Sequence, residues 1–142
     1  MYLVNTRPDI CYAVNQLSQA MVKPTKIFWN AWKHVLRYLR GTSGYGLWYT
    51  QSDEVRLCGF TNADWAGSPT DRKSTSGGIF NIGSTAVSWY SKKQRSVALS
   101  LVEVEYMATI LVACEAIWMR KILVGLFGSH LEPTVIYCDN QS

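Results

Sequence analysis

Four polar residues have the type and spacing that could do chemistry. Asn62 and Asp64 end the short apolar run LCGFTNADWAG, Glu105 lies early in LSLVEVEYMATILVACEAIWMRKILVGLFG, and Asp139 closes the apolar run of PTVIYCDNQS. Carboxylate and carboxamide oxygens suit hard divalent cations, so a cluster of them favours Mg²⁺ or Mn²⁺ over zinc. Two such ions about 4 Å apart activate a water and stabilise the departing oxygen in phosphodiester hydrolysis. Each residue also has a purely structural reading. Asn62 can bond its own backbone in an Asx turn, Asp64 can belong to the turn before Gly67, Ser68 and Pro69, and Asp139 can cap a following helix.

For these residues to meet, the elements that carry them must share an edge. VRLCGFTNA reads as a strand around residues 55–62, GSPTDRKS as a turn, and TSGGIFNIG and TAVSWYSKK as two strands separated by a turn near Gly83 and Ser84. Three strands in succession predict an antiparallel meander. A long helix follows from Leu99, with Ser100 and Glu103 at capping-box spacing and Gly125 or Gly128 as its end. PTVIYCDNQS is a further strand. Groups at the carboxyl ends of strands in an α/β sheet converge on one edge, and a carboxylate from the covering helix can join them. Glu103 and Glu105 are about 200° apart around a helix, so they cannot both enter one site. The apolar positions Leu101, Val102, Ile110 and Ala113 do not choose between them.

Ahead of this lies a different pattern. TRPDICYAVNQLSQAM predicts a helix with Thr6 as N-cap, Pro8 in the first turn and Ile10, Val14 and Leu17 at helical spacing. KIFWNAWKHVLRYLRGTSG predicts a second helix with Phe28, Ala31, Val35 and Leu39 on one face, stopped by Gly41 and Gly44. GYGLWYT then reads as a short strand.

The chain has 142 residues, 48% of them hydrophobic and 17% charged, the composition of a folding protein. Its net charge of +4 is unevenly placed, since residues 1–50 hold six Lys or Arg against Asp9 alone. That bias suits a polyanion, or equally a basic helix face in water. Cys11, Cys58, Cys114 and Cys138 lie far apart with no C-x-x-C spacing, which excludes a zinc ribbon and points to thiols in a reducing compartment. Glu103, Glu105, Glu115, Arg120 and Lys121 break the apolar runs, so no membrane span is expected. With no signal-peptide pattern at MYLVNTRPDI, the expectation is a non-secreted cytoplasmic or nuclear chain.

The fragments TRPDICYAVNQLSQAM, VLRYLRGT, ADWAGSPTDRKSTSGGIF, VSWYSKKQRSVALS, VEYMA and CDNQS occur in this order along nearly the whole chain. Together they resemble the Pol polyprotein of copia-type LTR retrotransposons of plants, from the end of reverse transcriptase through most of the ribonuclease H domain. The resemblance implies residues 1–50 as the C-terminal part of reverse transcriptase (thumb or connection). It implies residues 51–142 as a ribonuclease H-like domain incomplete at its C-terminus. The expected fold is α/β, a truncated ribonuclease H-like mixed sheet with an antiparallel meander and a packed helix, preceded by two thumb helices. An early end would leave apolar surface uncovered, which predicts marginal stability or self-association.

Intact members of that family cut the RNA strand of RNA–DNA hybrids with acids that hold two Mg²⁺ (or Mn²⁺) ions. The resemblance puts Asn62 on the first acid, Glu105 on the second and Asp139 on the third, with a fourth acid lacking a counterpart. The family commonly reads G-Y-S-D-A-D-W-A-G where this chain reads G-F-T-N-A-D-W-A-G, so a carboxamide replaces a carboxylate. The implied metal residues are Asp64, Glu105 and Asp139, with Asp64 a substitute ligand if the strand stays extended. The chain is therefore expected to bind metal weakly and not to cleave, with the alternative of a non-catalytic relic that binds nucleic acid weakly at most. Expected phosphate contacts are Lys33, Arg37 and Arg40 in the second helix, and Arg72, Lys73, Lys92 and Lys93 in the later domain. Expected partners are an RNA–DNA hybrid or other nucleic acid and the remainder of a Pol polyprotein, with no membrane.

Overall fold

The computed structural model describes residues 2–50, 55–68, 71–128 and 131–139, and the chain forms two compact units, Met1–Trp48 and Tyr49–Ser142. Pro69, Thr70 and the final Asn140, Gln141 and Ser142, on which parts of the sequence reading fall, lie outside the described residues.

The first unit holds α1 (Cys11–Ser18) and α2 (Lys26–Gly41), preceded by 3₁₀ turns at Tyr2–Asn5 and Pro8–Ile10. Thr6 does not cap a helix. Its hydroxyl and its N–H both donate to the Leu3 carbonyl, at 3.1 and 3.2 Å, and so close the first short turn. The cause is Pro8, which disfavours helical geometry in the residue before it and leaves Arg7 at φ −132°, ψ 87°. The helix can begin only beyond that point, and Ile10 stands at its N-cap without a side-chain bond. On α2 the residues Ala31, Val35 and Leu39 are half-buried, as their spacing predicts, but Phe28, expected on the same face, is exposed, and no described residue of this helix is fully buried.

Arg7 does much of the joining in this unit. Its buried guanidinium donates to both Asp9 carboxylate oxygens (3.0 and 2.7 Å), to the Thr42 carbonyl (3.0 Å) and to the Thr42 hydroxyl (2.7 Å). The Tyr38 hydroxyl donates to Asp9 at 2.7 Å. A chain segment before α1 is thereby fastened to the end of α2 by charge-assisted bonds. Residues 45–50 form no strand. An extended segment needs a neighbouring strand for its ladder, and the contact at this end comes from a side chain, the Tyr49 hydroxyl donating to Ala86 O at 3.0 Å.

The second unit is a four-stranded sheet against one long helix: β1 (Leu57–Asp64), β2 (Thr75–Ile82), β3 (Thr85–Lys93), α3 (Leu101–Phe127) and β4 (Val135–Cys138). The strand order is β3-β2-β1-β4. β1, β2 and β3 pair antiparallel, and β4 pairs parallel with β1. The meander follows from the short turn at Gly83 (φ 60°). A parallel return needs a crossover, which α3 supplies.

Val104, Ala108, Val112, Ala116, Met119 and Leu123 form the buried stripe of α3, and the last four join Leu57 and Phe80 in the core. Gly59 is required by this packing, because a Cβ there would stand 3.0 Å from the Phe80 ring and 3.3 Å from Val112. Ser100 caps the helix, its Oγ accepting from Glu103 N–H at 3.2 Å, while the Glu103 carboxylate reaches one residue further back and accepts from Leu99 N–H at 2.7 Å. Gly125 stays inside the helix, which ends at Gly128 in the left-handed conformation (φ 63°). All four cysteines are free thiols. Among the described residues no helix is long and apolar enough to cross a membrane.

Candidate functional site

Thr61 on β1 pairs with Cys138 on β4, the last step of the parallel ladder. The next residues are Asn62, still within β1 and paired with Gly77, and Asp139, just past the end of β4, so two polar residues 77 positions apart in sequence lie side by side where the β1–β4 ladder ends. The first turns of α3 pass this edge. The result is a cleft of about 300 Å³ lined by Thr61, Asn62 and Ala63 from β1, Leu101, Glu105, Ala108 and Thr109 from α3, and Cys138 and Asp139 from the end of β4. Asn62 and Asp139 are exposed and Glu105 is half-buried.

The geometry separates the two helix acids. Glu103 is occupied with the helix start, and Glu105 lines the cleft. Thr109, four residues on and therefore on the same side of α3, faces Cys138, with its hydroxyl 3.8 Å from the sulfur. Asp64 is not in the cleft lining. The chain turns after Asp64, Ala66 has φ 51°, and the Asp64 carboxylate lies against Gly67, where a Cβ would come within 2.1 Å of it. β1 stays extended through Asp64, the condition set for its role as a substitute ligand, with the carboxylate turned toward Gly67.

Every donor the cleft offers from Asn62, Glu105, Asp139, Thr61 and Thr109 is an oxygen, which fits a hard cation in kind. In charge the set is thin, with two carboxylates. Among the described residues no group of three or more His, Cys, Asp or Glu is placed to hold a metal ion.

The position of β4 is fixed from α3. Arg120 donates to the Leu131 carbonyl (3.0 Å), the Thr134 hydroxyl (3.1 Å) and the Glu132 carbonyl, holding the segment that leads into the strand. Sequence reading gave no role in the site to Arg120, Thr109, Thr61 or Cys138. Of these only Thr109 had a legible signal, its i+4 relation to Glu105.

The expected phosphate contacts divide. Lys93 is committed internally: its ammonium pairs with Asp71 at 2.9 Å and donates to Ser68 Oγ at 3.0 Å. Hydrogen bonds from Ser68 and then Lys93 hold the Asp71 carboxyl at about 2, well below its ordinary value. Lys93 therefore ties the loop after β1 to the end of β3. Arg72 and Lys92 are exposed, and Lys73 is half-buried. Arg72 has φ 55°, and the Lys92 ammonium lies 5.2 Å from the Tyr90 ring centre. In the first unit Arg37 and Arg40 are exposed, and Lys33 sits 5.3 Å from the Trp29 ring centre.

Comparison with known proteins gives three close relatives. The chain is 45% identical over 139 residues to a retrovirus-related Pol polyprotein from transposon RE2 of Arabidopsis thaliana, covering 98% of this chain and 10% of that protein. It is 46% identical over 140 residues to the retrovirus-related Pol polyprotein from transposon TNT 1-94 of Nicotiana tabacum, covering 99% and 10%. It is also 50% identical over 120 residues to secreted RxLR effector protein 161 of Plasmopara viticola, covering 84% of each chain. The chain thus spans about a tenth of the length of the polyproteins it matches. No family model matches it, and no solved structure does.

Proposed function

The chain belongs to the retrovirus-related Pol polyproteins of copia-type retrotransposons, matching a segment of them along nearly its whole length, and from this membership we propose that its second unit is a ribonuclease H-like domain that retains the hybrid-binding fold without efficient hydrolysis. The observation that carries the reading is the cleft in which Asn62, Glu105 and Asp139 come together from three separate elements. Glu105 and Asp139, with the Asn62 carboxamide oxygen, would hold the divalent cation. When bound, such an ion supplies charge stabilisation at the phosphate and an activated water.

The residues of this chain support weak hydrolysis. Two unit charges about 4 Å apart interact with about 4 kcal/mol at an effective dielectric near 20. With Asn62 where a carboxylate would stand, the site would hold a divalent cation with one negative charge fewer, and so more weakly. The carboxamide still offers an oxygen and keeps the strand end polar. In the second unit the hybrid is gripped through its phosphates by Arg72, Lys73 and Lys92; in the first unit Lys33, Arg37 and Arg40 are separate candidates for phosphate contact.

The test is an RNA–DNA hybrid incubated with the purified chain and Mg²⁺ or Mn²⁺. The expected result is salt-sensitive binding without cleavage. Turnover by the unaltered chain that Glu105→Gln abolishes would contradict the loss of hydrolysis, and absence of binding at low salt would contradict the retained hybrid fold.

A further inference from the structure

Helix α3 is apolar on more than the face it buries. With Val104, Ala108, Val112, Ala116, Met119 and Leu123 turned to the sheet, the opposite side should be polar in a helix that meets solvent. Instead Tyr106, Ile110 and Ile117 are 67, 60 and 56% exposed, and Cys114 among them is exposed as well. The stripe has charged ends of opposite sign. Glu103 and Lys121 are both exposed and stand 18 residues apart, which is about five full turns and about 27 Å, so they share one angular position on the helix. The exposed apolar residues lie between them along the same line.

A stripe with an acid at one end, a base at the other and apolar residues between is complementary to itself turned end for end. We propose that the outer face of α3 is an interface between two copies of this chain, with the two α3 helices packed antiparallel about a two-fold axis at the level of Val112. In that arrangement Glu103 meets Lys121 of the second copy at both ends, and Tyr106 packs beside Ile117 of the second copy. Ile110 and Cys114 flank the axis. A parallel arrangement would set Glu103 on Glu103 and Lys121 on Lys121, which like-charge repulsion disfavours. Glu103 can serve both ends of its carboxylate, since only Oε2 accepts from Leu99 N–H. The inference is independent of the cleft, whose lining residue Glu105 lies on the inner side of the helix.

Sedimentation of the full chain over a concentration series tests the proposal. A reversible dimer is expected, and Lys121→Glu should raise its dissociation constant by roughly tenfold or more, because it places two acids at each end. Circular dichroism should show Lys121→Glu folded as the unaltered chain. Mixing Lys121→Glu with Glu103→Lys should restore the dimer as a mixed pair, with both ends again of opposite sign. If Glu103→Lys does not fold without its capping contact, the comparison of Lys121→Glu with Lys121→Arg decides, with dimer expected for Arg alone. A chain that stays monomeric at every concentration leaves the face to another partner and overturns the proposal. So does self-association that Lys121→Glu leaves unchanged.

Discussion

Thr61 and Cys138 close the parallel ladder between β1 and β4, and that single register places Asn62 beside Asp139 at the mouth of the cleft. A shift of one residue would turn every β4 side chain to the opposite face of the sheet. The candidate site therefore depends on whatever fixes a strand of only four residues.

Arg120 is the group that fixes it. Arg120→Met removes three donated bonds while keeping much of the stem, and leaves the carbonyls of Leu131 and Glu132 to find other partners. A loss of about 1–3 kcal/mol is expected. Amide hydrogen exchange should show protection falling at residues 135–138 while β2 and β3 keep theirs. Equal loss across all four strands would show that Arg120 supports the whole unit and not the placement of β4.

The Arg7, Asp9 and Tyr38 cluster makes the first unit sensitive to acid. Hydrogen bonding to Arg7, and next to Tyr38, holds the Asp9 carboxyl at about 2 against an ordinary 3.8, while partial burial opposes the shift. A carboxyl depressed on folding stabilises above its unfolded value, and that stabilisation fades as pH falls from 3.8 toward 2. Asp71 titrates in the same range in the second unit, so the comparison must isolate Asp9. Denaturant unfolding at a series of pH values, comparing the unaltered chain with Asp9→Asn, should show their difference shrink through that window. A difference that is constant with pH would remove the charge from the account.

Among the cations, Arg72 and Lys92 should behave differently from Lys93. Removing an exposed phosphate contact lowers the salt slope of hybrid binding by about one and weakens binding uniformly. Arg72→Ala and Lys92→Ala are expected to do so. Lys93→Met is expected to leave the slope unchanged and instead to loosen residues 66–68 and 71–74, raising their exchange rates. A slope change for Lys93 equal to that for Arg72 would contradict the internal role of its pair with Asp71.

Where the sequence was legible, local chemistry decided the structure. β2 and β3 lie where alternation and the Gly83–Ser84 turn put them, and Ser100, Glu103 and Gly128 mark the ends of α3. Thr6 misled because a capping side chain is a weak preference and the residue before Pro8 is under a steric restriction. Residues 45–50 misled because a strand is defined by its neighbour, which spacing along one chain does not reveal. The same limit applied to the site. Asn62 and Asp139 were recognisable as strand-end groups, but helical spacing alone did not choose Glu105 over Glu103; the family resemblance did, and the cleft lining agrees with it. The engagement of Lys93 needed a partner 22 residues away. The Asp64 carboxylate was drawn to Gly67 by a turn whose left-handed residue, Ala66, has no sequence mark.

The most direct test of the cleft is titration with Mn²⁺ alone, read by its relaxation of water protons, on the unaltered chain and on Asn62→Asp. If Asn62, Glu105 and Asp139 share one cation position, Asn62→Asp should tighten Mn²⁺ binding by about tenfold or more, since about 1.4 kcal/mol of added attraction suffices. The gain should vanish when Glu105→Gln is added. Equal Mn²⁺ affinity with Asn and with Asp at position 62, or a gain indifferent to Glu105, would contradict the account.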